Sequence, residues 1–268
     1  MSQRLLATLT LALTLFGASV TAAAGVRGHD VTYSDGETTF KGYIAYDDAL
    51  SGPRPGVLVV HEWWGHNEHA RASARRLAEQ GYLALAVDMY GEGKTAEHPK
   101  DAGAFASAVG GNPALARKRF EAALKYLQER RIVDTERIAA IGYCFGGTVV
   151  LNMARAGLPL QGVVSFHGSL ATKTPAEANR VKARVAVFTG ADDPMIPPAQ
   201  IEAFQNEMRA AGVDHRLVSY PGVKHAFTNL DADRLGQTFG LPLAYDAQAD
   251  RDSWADAVNF LKDVLAKP

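Results

Sequence analysis

A single cysteine, Cys144, is all the thiol that this chain of 268 residues carries, so no internal disulfide can brace it. Surplus charge of either sign is missing as well. Lys+Arg 28 stand against Asp+Glu 29, a formal net charge of −1, which removes the basic footprint that a nucleic-acid partner calls for. Long apolar runs are scarce: the one at residues 5–16 is too short to span a bilayer comfortably, and no later stretch approaches it. Neither an internal repeat nor a low-complexity tract is present, which excludes a solenoid or a linker-rich chain. What is there, 47% hydrophobic and 21% charged residues, is the usage of an ordinary globular domain.

The first residues follow a targeting pattern. Arg4 gives the positive start, residues 5–16 the apolar stretch, and residues 18–24 the small side chains that a signal peptidase reads, with cleavage expected after Ala22 or Ala24. Residues 1–24 are therefore expected to be a secretory signal and residues 25–268 one soluble domain, exported to the bacterial periplasm. A lone exposed thiol is a liability in an oxidising compartment unless it is used.

Along the mature chain, residues 29–34 and 38–46 alternate in strand fashion around Asp35-Gly36, the signature of an antiparallel hairpin. Strands and helices then take turns. Residues 56–61, 83–87, 137–141, 162–166, 184–188 and 215–219 read as strands; 68–80, 113–130, 148–154 and 198–211 read as helices, and Trp254, Val258, Leu261 and Leu265 mark a closing one. That alternation predicts an α/β fold: a mostly parallel central sheet with helices on both faces and the hairpin at its N-terminal end. Residues 88–111 and 228–245 read as long irregular stretches of the kind that cap a site.

The cysteine stands in Gly142-Tyr143-Cys144-Phe145-Gly146-Gly147, between an apolar strand and a helix. Glycines two positions either side of a crowded strand-to-helix turn leave room for a protruding nucleophile, and the helix N-terminus beneath it favours an anion. A cysteine without such surroundings is usually a small buried hydrophobe. An α/β-hydrolase orders its residues as nucleophile, acid, histidine, and this chain offers both partners in that order. The strand ending at Phe188 runs into Asp192-Asp193-Pro194-Met195-Ile196-Pro197, and the strand ending at Ser219 runs into Lys224-His225-Ala226. Asp193, which opens an Asp-x-x-Ile-Pro segment, is the expected acid; Asp192 is the alternative, or else ties up loop N–H groups as an Asx turn. His225 is the expected base. The oxyanion donors are expected to be the backbone N–H groups of Phe145 and Trp63. His61, Glu62, His66 and His69 invite a metal reading, but zinc peptidases need two histidines one helical turn apart, whereas here tryptophans and a glycine follow a strand, so neither metal nor cofactor is expected.

Taken together, His61-Glu62-Trp63-Trp64-Gly65-His66-Asn67, Gly81-Tyr82 through Asp88-Met89-Tyr90, the Cys144 turn, Asp193 and His225 resemble the dienelactone hydrolase family, the cysteine-using α/β-hydrolases, over nearly all of the mature chain. The resemblance implies an α/β-hydrolase fold, a small-molecule ester or lactone substrate, and a role for Glu62 in pairing with the resting cysteine and activating it. It also exposes a departure. The family's founding enzymes grip a substrate carboxylate with two arginines, one shortly after the Asp-x-Tyr segment and one four residues past the histidine. Here those places hold Gly91-Glu92-Gly93-Lys94 and Asn229. Lysine or asparagine does not replace a bidentate guanidinium, so dienelactone itself fits poorly; Lys94 or Lys224 would offer only weaker compensation. Two rivals to the enzyme reading are a catalytically silent domain binding a ligand or partner and a redox thiol, the latter weakened by the lack of a resolving cysteine.

Overall fold

Continuous apolar runs, buried on both sides, become the middle of the sheet. The computed structural model describes residues 25–267; the expected signal segment lies outside them. In chain order the elements are β1 (Val26–Ser34), β2 (Thr39–Asp47), β3 (Arg54–Val60), α1 (Glu68–Ala78), β4 (Leu83–Val87), α2 (Pro99–Gly110), α3 (Pro113–Gln128), β5 (Val133–Tyr143), α4 (Phe145–Arg155), β6 (Gly162–Phe166), β7 (Arg184–Gly190), α5 (Pro198–Ala210), β8 (His215–Tyr220), α6 (Ala232–Phe239) and α7 (Ala247–Val264).

The strands form one sheet of 8 in the order β1-β2-β4-β3-β5-β6-β7-β8. The β1–β2 hairpin is antiparallel and joins β4 antiparallel, while every pairing from β4 through β8 is parallel. Strand β3 shows why helices cover both faces. Leu58 and Val60 point into the layer shared with Phe120 of α3, Val150 of α4 and Phe204 of α5, whereas Val57 and Val59 point to the layer of Leu77 from α1 and Leu261 from α7. Parallel strands all end at one edge, so the loops after β3, β5, β6, β7 and β8 open together there, where sheets of this type build their sites.

Two stretches expected to be irregular contain helices. Residues 88–111 include α2, opened by Pro99 with His98 capping the Lys100 N–H, and residues 228–245 include α6. Helix α2 buries only Ala102 and Val109, a stripe too thin for periodicity to reveal, and α6, which buries Ala232 and Gly236, is only 8 residues long, too short for a period to repeat. The turn between β4 and α2 is fixed by the buried Asp88, whose carboxylate accepts the N–H groups of Tyr90, Gly91, Gly93 and Lys41 at 2.8–3.0 Å. A buried charge is tolerable when its lone pairs are satisfied in this way.

Candidate active site

Strand β5 ends at Tyr143 and helix α4 begins at Phe145, leaving Cys144 alone to make the corner with φ 50° and ψ −114°. A non-glycine residue at such a corner costs about 1–3 kcal/mol and persists only where its surroundings over-determine it. Here they do. The Cys144 N–H points at both the Phe166 carbonyl (3.0 Å) and His167 Nδ1 (3.1 Å), and its carbonyl accepts from the Thr148 N–H (3.1 Å). The flanking glycines allow the close approach: a Cβ on Gly142 would lie 2.2 Å from the Gly146 carbonyl oxygen, and one on Gly146 would lie 2.3 Å from that of Val60. Both obstacles are backbone, so Gly146→Ala is expected to lower stability by about 3 kcal/mol, read as a drop in urea midpoint at unchanged m-value. A midpoint equal to that of the parent protein would show that the corner yields more easily than these contacts imply.

The strand-end loops bring the expected acid and base together. Asp193 Oδ2 lies 2.7 Å from His225 Nδ1, and Asp193 Oδ1 accepts the Met195 N–H at 2.8 Å, closing an Asx turn. Asp193 thus makes both the contact with His225 and the Asx turn expected for Asp192, which is exposed. Asp193 and His225 are each under 5% exposed. His225 Nε2 is buried without a well-aligned hydrogen bond, yet its ring lines the same cavity as Cys144. Burial pulls the imidazole's pKa down, but the negative charge of the Cys144 sulfur, the Asp193 hydrogen bond and Asp193's own charge together outweigh it, leaving His225 raised from 6.5 to about 10.

Three further residues complete the surroundings. His167, the first residue after β6, is fully buried at φ 39°, with Nε2 2.9 Å from Thr228 Oγ1. Because its Nδ1 accepts the Cys144 N–H, its proton sits on Nε2; burial, reinforced by the positive charge of His225, holds it neutral with a pKa well below 6.5. The motif search passed over His167, although the rule that selected Asp193 and His225, position at the carboxyl end of a parallel strand, also points to it. His61 is a structural clip: Nδ1 donates to the Glu62 carbonyl (2.5 Å) and Nε2 accepts the Met89 N–H (3.2 Å), so both nitrogens are committed. Glu62 is buried, and its carboxylate accepts from Asn229 Nδ2 at 2.5 Å. Asn229, which occupies one of the positions where the expected arginines are missing, therefore anchors the glutamate.

The sulfur opens into a cavity of about 250 Å³ walled by Trp63, Phe145, His167, Met195, Ile196 and Leu243. Its described lining holds no arginine or lysine, and Lys94 and Lys224 are exposed elsewhere. Phe145, as the first residue of α4, has an N–H free of any intrahelical partner, and Trp63, its carbonyl tied to Tyr90 Oη at 2.9 Å, lines the same cavity. A half-buried sulfur, an imidazole oriented by a carboxylate and two backbone segments at one apolar cavity are parts suited to acyl transfer.

Known proteins are similar to this chain in sequence and in fold. A metagenomic dienelactone hydrolase-like promiscuous phosphotriesterase of known structure is 37% identical, covers 90% of this chain and 100% of its own, and superposes with a TM-score of 0.85. Protein usf of Aquifex pyrophilus is 29% identical over 245 residues, 89% of this chain and 99% of that protein. A Yersinia pestis protein named "Putative carboxymethylenebutenolidase" is 30% identical over 224 residues, 79% of each chain. Residues 40–265 match the model of the dienelactone hydrolase family, from the second strand of the edge hairpin to the end of the closing helix, and the chain belongs to that family of α/β-hydrolases.

Proposed function

We propose that this protein hydrolyses uncharged carboxylic esters or lactones through a thioester on Cys144, with His225 and Asp193 completing the triad. The observation that carries this reading is the 2.7 Å Asp193–His225 bond, which orients the imidazole while leaving Nε2 for the cavity that Cys144 lines. Transfer of the thiol proton to His225, which the raised pKa of the imidazole favours, gives the attacking thiolate beside an imidazolium. The thiolate attacks the carbonyl carbon, and the oxyanion takes hydrogen bonds from the Phe145 and Trp63 N–H groups. As the intermediate collapses, the carbon–oxygen bond to the alcohol breaks and His225 gives its proton to the departing oxygen.

Acylation changes the base as well as the nucleophile. The leading upward influence on His225 is the sulfur's negative charge, which vanishes once the sulfur carries an acyl group. The imidazole, now neutral, can take a proton from water as that water attacks the thioester; collapse then releases the carboxylic acid and restores the thiolate–imidazolium pair. One residue serves as acid in the first half and base in the second without rearrangement.

Outside the Cys144–His225 pair the lining is uncharged, so a planar carboxylate on the substrate is an unfavourable guest, desolvated with no guanidinium to meet it. Asn229, which stands where an arginine is missing, spends its amide N–H on Glu62 and so offers no grip for a substrate anion. The phosphotriesterase activity named for the structural relative supports adding neutral phosphotriesters to a substrate panel. The deciding experiment is rapid acid quench during turnover of p-nitrophenyl acetate followed by peptide mass spectrometry. An acetyl group is expected on the peptide containing Cys144 and is expected to be lost on incubation in buffer; hydrolysis proceeding with that peptide unmodified would remove the thioester from the pathway.

A further inference from the structure

Beyond the thiol cavity lies a second hollow of about 450 Å³, and Phe145 and Thr148 line both. It sits between the first turn of α3, one face of α4 and the segment 174–180. Its floor is Phe145, Val149 and Met153 of α4 with Ala156 at the helix's C-cap, residues spaced by three or four and hence on a single face. The hollow therefore starts at the wall of the thiol cavity and runs down the helix, away from the sulfur, for about 16 Å at roughly 1.5 Å per residue.

Its chemistry favours an uncharged guest. Three guanidiniums stand on its walls, and each is already engaged by a carboxylate: Arg117 with Glu121 (2.8 Å), Arg155 with Glu207 (2.8 Å) and Arg180 with Glu177 (3.0 Å). No wall cation is left uncompensated for an anion, while the buried Ala116, Val149 and Met153 offer apolar surface. Size points the same way. A site for a small molecule usually encloses roughly 300–1,000 Å³; the thiol cavity at 250 Å³ falls short alone, and the two hollows together lie well inside that range.

We infer that the hollow along α4 is a subsite for an extended, uncharged, unbranched arm of the ester, acyl or alkyl, that passes Phe145 and lies along the helix. The inference rests on the ester-hydrolase reading and specifies its substrate class: medium-chain rather than only acetyl-sized esters. Ala114 suits the test because it is exposed on the first turn of α3 at the side of the hollow, where an indole fills space without entering the core. Ala114→Trp is expected to lower the ratio of kcat/KM for p-nitrophenyl decanoate to that for p-nitrophenyl acetate by about tenfold or more, and, where the long arm is the alcohol, to do the same for decyl acetate against ethyl acetate. Ala176→Trp, on the opposite wall, repeats the test should Ala114→Trp melt at a lower temperature. Both ratios unmoved in both variants would overturn the subsite and leave the hydrolase reading standing. A second measurement is independent of turnover: calorimetric binding of methyl nonyl ketone to the Cys144→Ala protein, expected to weaken about tenfold when Ala114→Trp is added. Equal binding in the two proteins overturns the subsite, whereas ketone binding that responds to Ala114→Trp, with the protein that retains Cys144 turning over none of the esters, would keep the subsite and sink the hydrolase.

Discussion

Replacing Cys144 by alanine is expected to lower kcat by about 10⁴-fold or more on any ester the protein cleaves, because members of a triad act as a unit and the residue lost is the one that forms the covalent bond. Serine at the same position is not a conservative change here. The imidazole that would have to deprotonate it owes its raised pKa chiefly to the sulfur's charge, so replacing the sulfur with a hydroxyl that is neutral at rest alters nucleophile and base together. Cys144→Ser is therefore expected to fall nearly as far as Cys144→Ala. Stability should move independently. The corner at φ 50°, ψ −114° is strained for any L-residue, but its mirror image is a relaxed extended conformation that glycine adopts at no such cost. Cys144→Gly is accordingly expected to raise the thermal midpoint while abolishing turnover, the pattern of a site that spends stability on geometry. Alanine retaining the parent kcat in an active-site-titrated assay would take the sulfur out of the reaction.

Much of this site was legible because the features that build it are local. Glycines two residues either side of Cys144 were readable as relief for a tight turn, and the backbone approaches at Gly142 and Gly146 give the reason. Asp193 and His225 were readable because each follows a strand, Asp193 the continuous apolar run of β7 and His225 the shorter, partly exposed β8, and the sheet sets their loops at one edge. What stayed hidden is what depends on contacts between distant segments. His167 follows an equally clear strand, but its importance lies in its partner, the Cys144 N–H, 23 residues earlier. Nothing near Glu62 in sequence announces that Asn229 holds it, 167 residues away. Helix α2 and helix α6 escaped for a different reason: α2 buries only Ala102 and Val109, and α6 runs for only 8 residues, too short a window for a 3.6-residue period to declare itself. The hollow along α4 belongs to the first group, because its walls come from three segments that meet only in the folded chain.

The raised pKa of His225 makes the second large prediction, and its sign follows from which form the fold favours. A histidine held above its unfolded value of 6.5 keeps its proton in the folded enzyme, so its contribution to stability is fully present below pH 6.5 and is lost as the pH rises through about 10. Catalysis should follow the same limb when the leaving group needs a proton. With ethyl or decyl esters kcat/KM is expected to fall as the pH passes about 10, whereas p-nitrophenolate departs unaided and its esters should show a shallower decline. Asp193→Asn removes a charge and a hydrogen bond that both hold the imidazole's proton, so the alkaline limb should move to lower pH. It also releases the ring from the tautomer that presents Nε2 to the cavity, and kcat should drop by about 10³ to 10⁴-fold. The measurement is a pair of pH–rate profiles on an alkyl ester, with the His225 Cε1 proton followed by NMR in each protein to assign the limb. A limb that stays in place in Asp193→Asn would mean that another group sets it, and that the carboxylate 2.7 Å from the ring is structural rather than electrostatic in its effect. A limb that moves without loss of kcat would instead separate proton affinity from orientation and leave the Asp193 charge as the tuning element alone.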